Sequence, residues 1–157
     1  MPKIKHIAIS TQDVEKTAKF YIDVFGMKEI ARVNSPGATG YYLSDGDLNL
    51  AILNFKNDQV AGAERGKGYS GIHHIGFQVD DIQETAAALE AADVQPVPID
   101  RSRPREARLM GPPSEAVNLK YLGPDAVHFD VRQRGWDESI ELGMDRFELM
   151  PAKQAAE

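Results

Sequence analysis

Four histidines occur in this chain of 157 residues, and three of them recur in places that could do chemistry. His6 lies in IKHIAI and His74 in IHHIGF, two similar segments at an offset of 68 residues. His128 lies in VHFDVR, two residues before Asp130, and the fourth histidine, His73, adjoins His74. A neutral imidazole offers a lone pair, and a carboxylate offers charge. Two imidazoles and one carboxylate form a common ligand set for a divalent ion that keeps open positions for substrate. The same residue types also serve as general acids and bases. Either chemistry requires the fold to bring them together.

Strand alternation predicts that it does. Ile7 and Ile9 oppose His6 and Ala8. Ile75, Phe77 and Val79 oppose His74, Gly76 and Gln78, and Val127, Phe129 and Val131 oppose His128, Asp130 and Arg132. Leu50 and Ile52 oppose Asn49 and Ala51. The apolar sets are expected to pack on helices, so His6, His74, His128 and Asp130 should share the other face. Asn49 should line it as a substrate contact. Such a face can meet water, hydrogen-bond internally or bind a metal.

The elements around these strands repeat. Asp13-Val14-Glu15-Lys16 opens a helix after the first strand, with Val14, Ala18, Tyr21, Ile22 and Phe25 on one face and a stop at Gly26. Asp81-Ile82-Gln83-Glu84 opens the matching helix after the second, in a capping-box pattern, with Ile82, Ala86 and Leu89 on its face. YYLSDGDLNLAILNF reads as a hairpin turning at Ser44-Asp45-Gly46-Asp47, and NLKYLGPDAVHFDVR as one turning at Gly123-Pro124-Asp125. Aligning the hairpins sets Ala51 against Asp130. The surplus residues of the second half fall between Asp100 and Pro113. The expected fold is α+β, a single domain of two tandem βαβββ modules. Module one covers about 3–56, module two about 71–134, and residues 135–157 form a C-terminal extension.

Composition narrows the partners. Lys and Arg total 18 against 24 Asp and Glu, a net charge of −6, which argues against nucleic acid and anionic membranes. Cysteine is absent, so thiolate ligands, disulfides and cysteine nucleophiles are excluded. MPKIKHIAIS enters a strand directly with no apolar leader, and no apolar run reaches 18 residues, so a cytoplasmic protein is expected. The loop DRSRPREARLMGPPS carries Arg101, Arg103, Arg105 and Arg108. It is either a flap that holds a substrate carboxylate or phosphate, or a solvated surface loop. Tyr41 and Tyr42 begin a strand, and one of them faces the site. The tail holds Trp136, Ile140, Leu142, Met144, Phe147 and Leu149 and is expected to pack on the sheet edge or on a second subunit of a homodimer.

KHIAIST, DVEKTAKFYIDVFGMKE, HHIGFQVDDI and GPDAVHFDVRQRGW together resemble the vicinal oxygen chelate superfamily over about residues 3–134. That family takes in glyoxalases, extradiol dioxygenases, and fosfomycin- and bleomycin-resistance proteins. The resemblance implies a cupped mixed sheet with helices on its outer face and a divalent metal (Fe, Mn, Ni or Zn) inside the cup. It implies ligands from the first and last strands of each module: His6, His74 and Asp130, where Glu is more usual. The fourth ligand position becomes Ala51, which cannot ligate. The implied function is a metal-dependent lyase, isomerase or dioxygenase that chelates vicinal oxygens of a small molecule. The alternative is a metal-free antibiotic-binding protein of the same fold. His128 is either a catalytic base, a further ligand or a residue that orients Asp130.

Overall fold

Caps and turn residues set the first half. Strand β1 spans Lys3–Ser10 and helix α1 spans Val14–Phe25. Asp13 caps α1 by accepting from the Lys16 amide at 3.0 Å. Gly26 ends it at φ 68°, a left-handed conformation that glycine adopts without penalty. Strands β2 (Lys28–Asn34), β3 (Ala38–Ser44) and β4 (Asn49–Phe55) follow. At the β3–β4 turn the Asp45 carboxylate accepts from the amides of Asp47 and Leu48. A one-turn helix α2, Asp58–Ala61, leads to strand β5 (Gly71–Gln78). Four residues are too few to leave a helical period in the sequence.

The second half repeats the order. Helix α3 (Ile82–Ala91) is capped by Asp81, which accepts from two amides. Strands β6 (Pro96–Val97), β7 (Leu119–Leu122) and β8 (His128–Arg132) follow, and Leu149–Met150 adds a short strand β9. This computed structural model describes residues 1–62, 64–97, 118–134 and 136, with backbone alone at 149–150. The four arginines Arg101, Arg103, Arg105 and Arg108 lie outside the described residues, as do tail residues Ile140, Leu142, Met144 and Phe147.

The strands form one sheet in the order β6-β7-β8-β5-β1-β4-β3-β2-β9. β1 and β5 pair antiparallel at its centre, while β1–β4 and β5–β8 pair in parallel. The register carries the repeat. Ala8 stands opposite Ala51, and Gly76 stands opposite Asp130. Ala8 and Gly76 each lie two residues past a histidine, so Ala51 and Asp130 occupy equivalent places.

The helices cover one face. Tyr41, Leu43, Leu50 and Ile52 pack with Ala18 of α1, and Ile82 of α3 packs with Val79, Tyr121 and Val131. Each fully buried aliphatic chain here contributes about 1.5–3 kcal/mol. The opposite face is the cup. Tyr42 packs there against a cluster that includes Ala8, Ala51 and Leu53. The tyrosines lie mid-strand in β3 rather than at its start. Phe25 departs from expectation too. It is 66% exposed at the end of α1, off the buried face. β9 pairs with Arg32 and Val33 of β2, so part of the tail does lie on the sheet edge. Among the described residues no helix is long and apolar enough to cross a membrane.

Two irregularities break the β1–β5 ladder, between Ile4 and His6 and between Ala8 and Ile9. At the second, Ala8 faces His74 and Ile9 faces Ile72, leaving His73 without an opposite residue. An extra residue of this kind is a β-bulge, and it reverses the alternation locally. Strict alternation would put His73 on the helix face. The bulge instead seats its ring 4.6 Å from Phe55, which belongs to the cup-side cluster.

Candidate metal centre

β1, β5 and β8 are neighbours, so three of the predicted residues meet. His6, His74 and Asp130 are all buried. His6 Nε2 lies 3.2 Å from His74 Nε2, and His74 Nε2 lies 3.3 Å from Asp130 Oδ2. Metal–nitrogen bonds of about 2.1 Å meeting at 90–109° would separate adjacent donors by about 3.0–3.4 Å. Both distances match the edges of such a shell.

The imidazoles are oriented from behind. With the Asn49 amide oxygen toward it, His6 Nδ1 donates to Asn49 Oδ1 at 2.6 Å, and in that orientation its Nε2 is an acceptor. His74 Nδ1 lies 2.8 Å from His73 Nδ1, and His73 Nε2 donates to the Ala61 carbonyl at 2.6 Å. Burial, the largest cause, pushes the His6 imidazolium down to about 4 and holds those of His74 and His73 below the usual histidine value. At neutral pH both imidazoles are therefore neutral, and their Nε2 atoms lie 3.2 Å apart in a dry site.

Asp130 is held differently. Lys120, directly across the β7–β8 ladder, donates to both of its oxygens at 2.7 and 2.8 Å. Asn118 Nδ2 donates to Oδ2 at 2.7 Å. Burial alone would raise this carboxyl, but the Lys120 charge, the neighbouring His74 and the hydrogen bonds outweigh it and hold it well below the ordinary carboxylate range. Both lone-pair directions of Oδ2 are thus in use. Among the described residues, no three His, Asp or Glu side chains stand as placed in a group that would hold a metal ion. The donor set suits a divalent ion by residue type. Its carboxylate becomes a ligand only where Lys120 yields.

The fourth corner is apolar. Ala51 is fully buried against Ala8, Leu53 and their neighbours. Trp136 stacks on His6, with its ring 5.0 Å away and 7° from parallel. A Cβ on Gly76 would fall 2.5 Å from Trp136 Cη2 and 2.7 Å from His6 Cβ, so glycine is what lets the indole in. Arg132 lies 5.5 Å over the same indole. Trp136 is therefore in the cup.

Asn49 lies in the site, with its side-chain oxygen 2.6 Å from His6 Nδ1. His128 sits toward the rim. Its Nε2 is 2.7 Å from Glu64 Oε1 and its ring 6.4 Å from His73. Sequence reading missed Lys120, Asn118, Trp136 and the inward turn of His73. Lys120 and Asn118 share a strand face two residues apart, opposite Asp130, and that alternation would have found them.

A sequence profile of the Glyoxalase/Bleomycin resistance protein/Dioxygenase superfamily matches residues 3–110. Mitochondrial methylmalonyl-CoA epimerase of Homo sapiens is 26% identical over 97 residues, covering 59% of this chain and 55% of the relative. Lactoylglutathione lyase of Schizosaccharomyces pombe is 31% identical over 114 residues, covering 59% of this chain and 37% of the relative. The chain spans about half or less of the length of these curated relatives. A hypothetical protein from Bacillus halodurans C-125 superimposes with a TM-score of 0.61 at 20% identity, over 85% of this chain and 94% of that one. A Streptomyces coelicolor methylmalonyl-CoA epimerase variant in complex with 2-nitronate-propionyl-CoA gives 0.58 at 22%, over 82% and 92%. The structural likenesses share the fold. The profile spans most of the sequence, and on that ground the chain belongs to the glyoxalase/bleomycin resistance/dioxygenase superfamily.

Proposed function

We propose that this chain is a metal-dependent enzyme with isomerase or lyase chemistry, acting on adjacent oxygens of a small substrate. His6, His74 and Asp130 would hold the divalent ion. The carrying observation is the pair of buried Nε2 atoms at 3.2 Å, with a carboxylate oxygen 3.3 Å from one of them. A bound ion would supply Lewis acidity to substrate oxygens, stabilising negative charge as it develops.

The chain's own residues supply the rest. Trp136 closes the cup above His6 and keeps water from the reacting region. Lys120, 30% exposed at its side chain, has its ammonium beside the ligands and can hold an anionic oxygen of the substrate. An isomerase needs a base that reaches a carbon-bound proton, and Ala51 leaves that role without an owner in the first half. We assign it to His128, with Glu64 beside its ring. Arg101, Arg103, Arg105 and Arg108 are proposed to anchor a phosphate or carboxylate of the substrate. The names of the relatives favour acyl-CoA esters and glutathione adducts as first substrates. A homodimer is part of the same proposal, tested by sedimentation.

The test is metal content after purification without chelator, for the wild type and His74→Ala. Stoichiometric metal in the wild type and its loss in the variant are expected. A wild type free of metal overturns the reading. With zinc, manganese or nickel bound, solvent deuterium exchange into an epimerisable acyl-CoA and turnover of a hemithioacetal come next. With iron bound, oxygen uptake with catechols comes first. A metal-free binding protein is the second reading, favoured by Ala51 and by the Lys120–Asp130 pair. It predicts tight binding of a small aromatic ligand to chelator-treated protein, read as a change in Trp136 emission.

A further inference from the structure

We propose that His73 is a positioning residue that locks the tautomer of His74, so that His74 always presents a bare Nε2 to His6 and Asp130. The Ala61 carbonyl can only accept, and it lies 2.6 Å from His73 Nε2, so that nitrogen carries a proton. Ala61 ends α2 and is fully buried, so its carbonyl has no water to turn to.

A neutral His73 protonated at Nε2 has its lone pair at Nδ1. That atom is 2.8 Å from His74 Nδ1, which must therefore donate. His74 is left with its lone pair on Nε2, facing His6 Nε2 and Asp130 Oδ2. The relay uses the neutral form of His73, whose ring is buried against Phe55.

The surroundings hold the relay in place. The bulge in β5 turns His73 to the same side as His74. Its ring packs on Phe55 at 4.6 Å, and the Arg65 guanidinium ties down the carbonyls of Ile72 and His73. Asn57 caps α2 by accepting from the Val60 amide at 2.9 Å, which fixes the turn that presents Ala61. A ligand imidazole whose second nitrogen is held in this way keeps its ring direction and gains basicity at the other.

The consequence for metal affinity rests on the proposed function, whereas the tautomer does not. Long-range proton–nitrogen correlation spectra of histidine-labelled, zinc-free protein should show His74 protonated at Nδ1. In His73→Phe, which keeps the packing on Phe55, His74 should shift toward the Nε2-protonated form. Zinc titration calorimetry should give a dissociation constant raised about 10- to 100-fold. His73→Gln offers one donor and one acceptor at similar reach and should restore zinc affinity to within a few-fold. Nδ1 protonation of His74 in a wild type that binds no zinc supports the lock and refutes the metal reading. An Nε2-protonated His74 in the wild type overturns the proposal. So does a His73→Phe protein with unchanged tautomer and zinc affinity.

Discussion

Replacing Lys120 with Met removes the ammonium that both oxygens of Asp130 share, at 2.7 and 2.8 Å. Asp130 is 3% exposed, so its charge would remain in a dry site with Asn118 as its one remaining hydrogen-bond donor among those described above. Removing one partner of a buried pair costs about 3–5 kcal/mol, and the lower figure suits a lysine whose side chain still touches solvent. At about 2–4 °C per kcal/mol for a protein of this size, metal-free Lys120→Met should melt about 6–12 °C below the wild type. A divalent ion supplies the charge that the lysine no longer does. If the penalty of about 3 kcal/mol vanishes on loading, zinc should bind the variant about 100-fold more tightly. Thermal melts with and without zinc, together with calorimetric titration, read both halves of this cycle. The decisive feature is the sign. Weaker zinc binding in Lys120→Met would mean that Lys120 holds Asp130 in place for the metal, and would refute the view that lysine and metal compete for it.

Asn49→Asp replaces an amide with a group that can only accept, which commits His6 to Nδ1–H and should tighten zinc binding several-fold by calorimetry. The metal-free protein should lose stability in acid. His6 has an ordinary value of 6.5 and a folded value of about 4, so above 6.5 it is neutral in both states, and below that the unfolded chain takes up the proton first. Denaturation midpoints should therefore fall between pH 6.5 and 4, by about 3 kcal/mol from this group. His74 acts in the same direction. Saturating zinc should move the decline to lower pH; a stability flat from pH 7 to 4 would contradict the assignment. Gly76→Ala drives a methyl into Trp136 and His6 and should cost about 1–3 kcal/mol, accompanied by a shift in the emission of the single tryptophan.

The parts of this molecule that follow a period were legible in its sequence. Alternation put His6, His74 and Asp130 on one face, and the Asp13 and Asp81 caps marked both helices where they begin. The register confirms the equivalence of Ala51 and Asp130, because each stands opposite the residue two past a histidine. What escaped breaks a period or crosses the chain. A bulge is a single unpaired residue with no compositional mark, so the inward turn of His73 was invisible. Trp136 reaches the cup from beyond the last core strand, and only the missing side chain at Gly76 hinted at a tenant. Helix α2 was too short to announce itself, yet it supplies the carbonyl on which the tautomer argument turns.

Asn49 and Lys120 pose the same question from opposite sides of the site. Each is the neighbour of a proposed ligand, and each can serve a filled or an empty centre. Asn49 has a buried Nδ2 without a hydrogen-bond partner among the described residues, while its oxygen faces His6. Turning that amide over would let it donate to His6 Nδ1, move the imidazole proton to Nε2, and let His6 donate to His74 Nε2. That arrangement needs no cation, because the lone pair of His74 then has a proton to accept. The orientation with oxygen toward His6 needs one. In this account the two states differ by one amide turn and one lysine contact. A site built this way can be stable while empty and still bind a divalent ion. Metal loading should then appear as a change in the His6 tautomer and the release of Lys120, with β1, β5 and β8 unmoved. Nitrogen spectra of His6 recorded through a zinc titration read the first. A His6 that stays Nδ1-protonated at every zinc level would show that the amide is fixed, and that the empty site carries an unresolved repulsion.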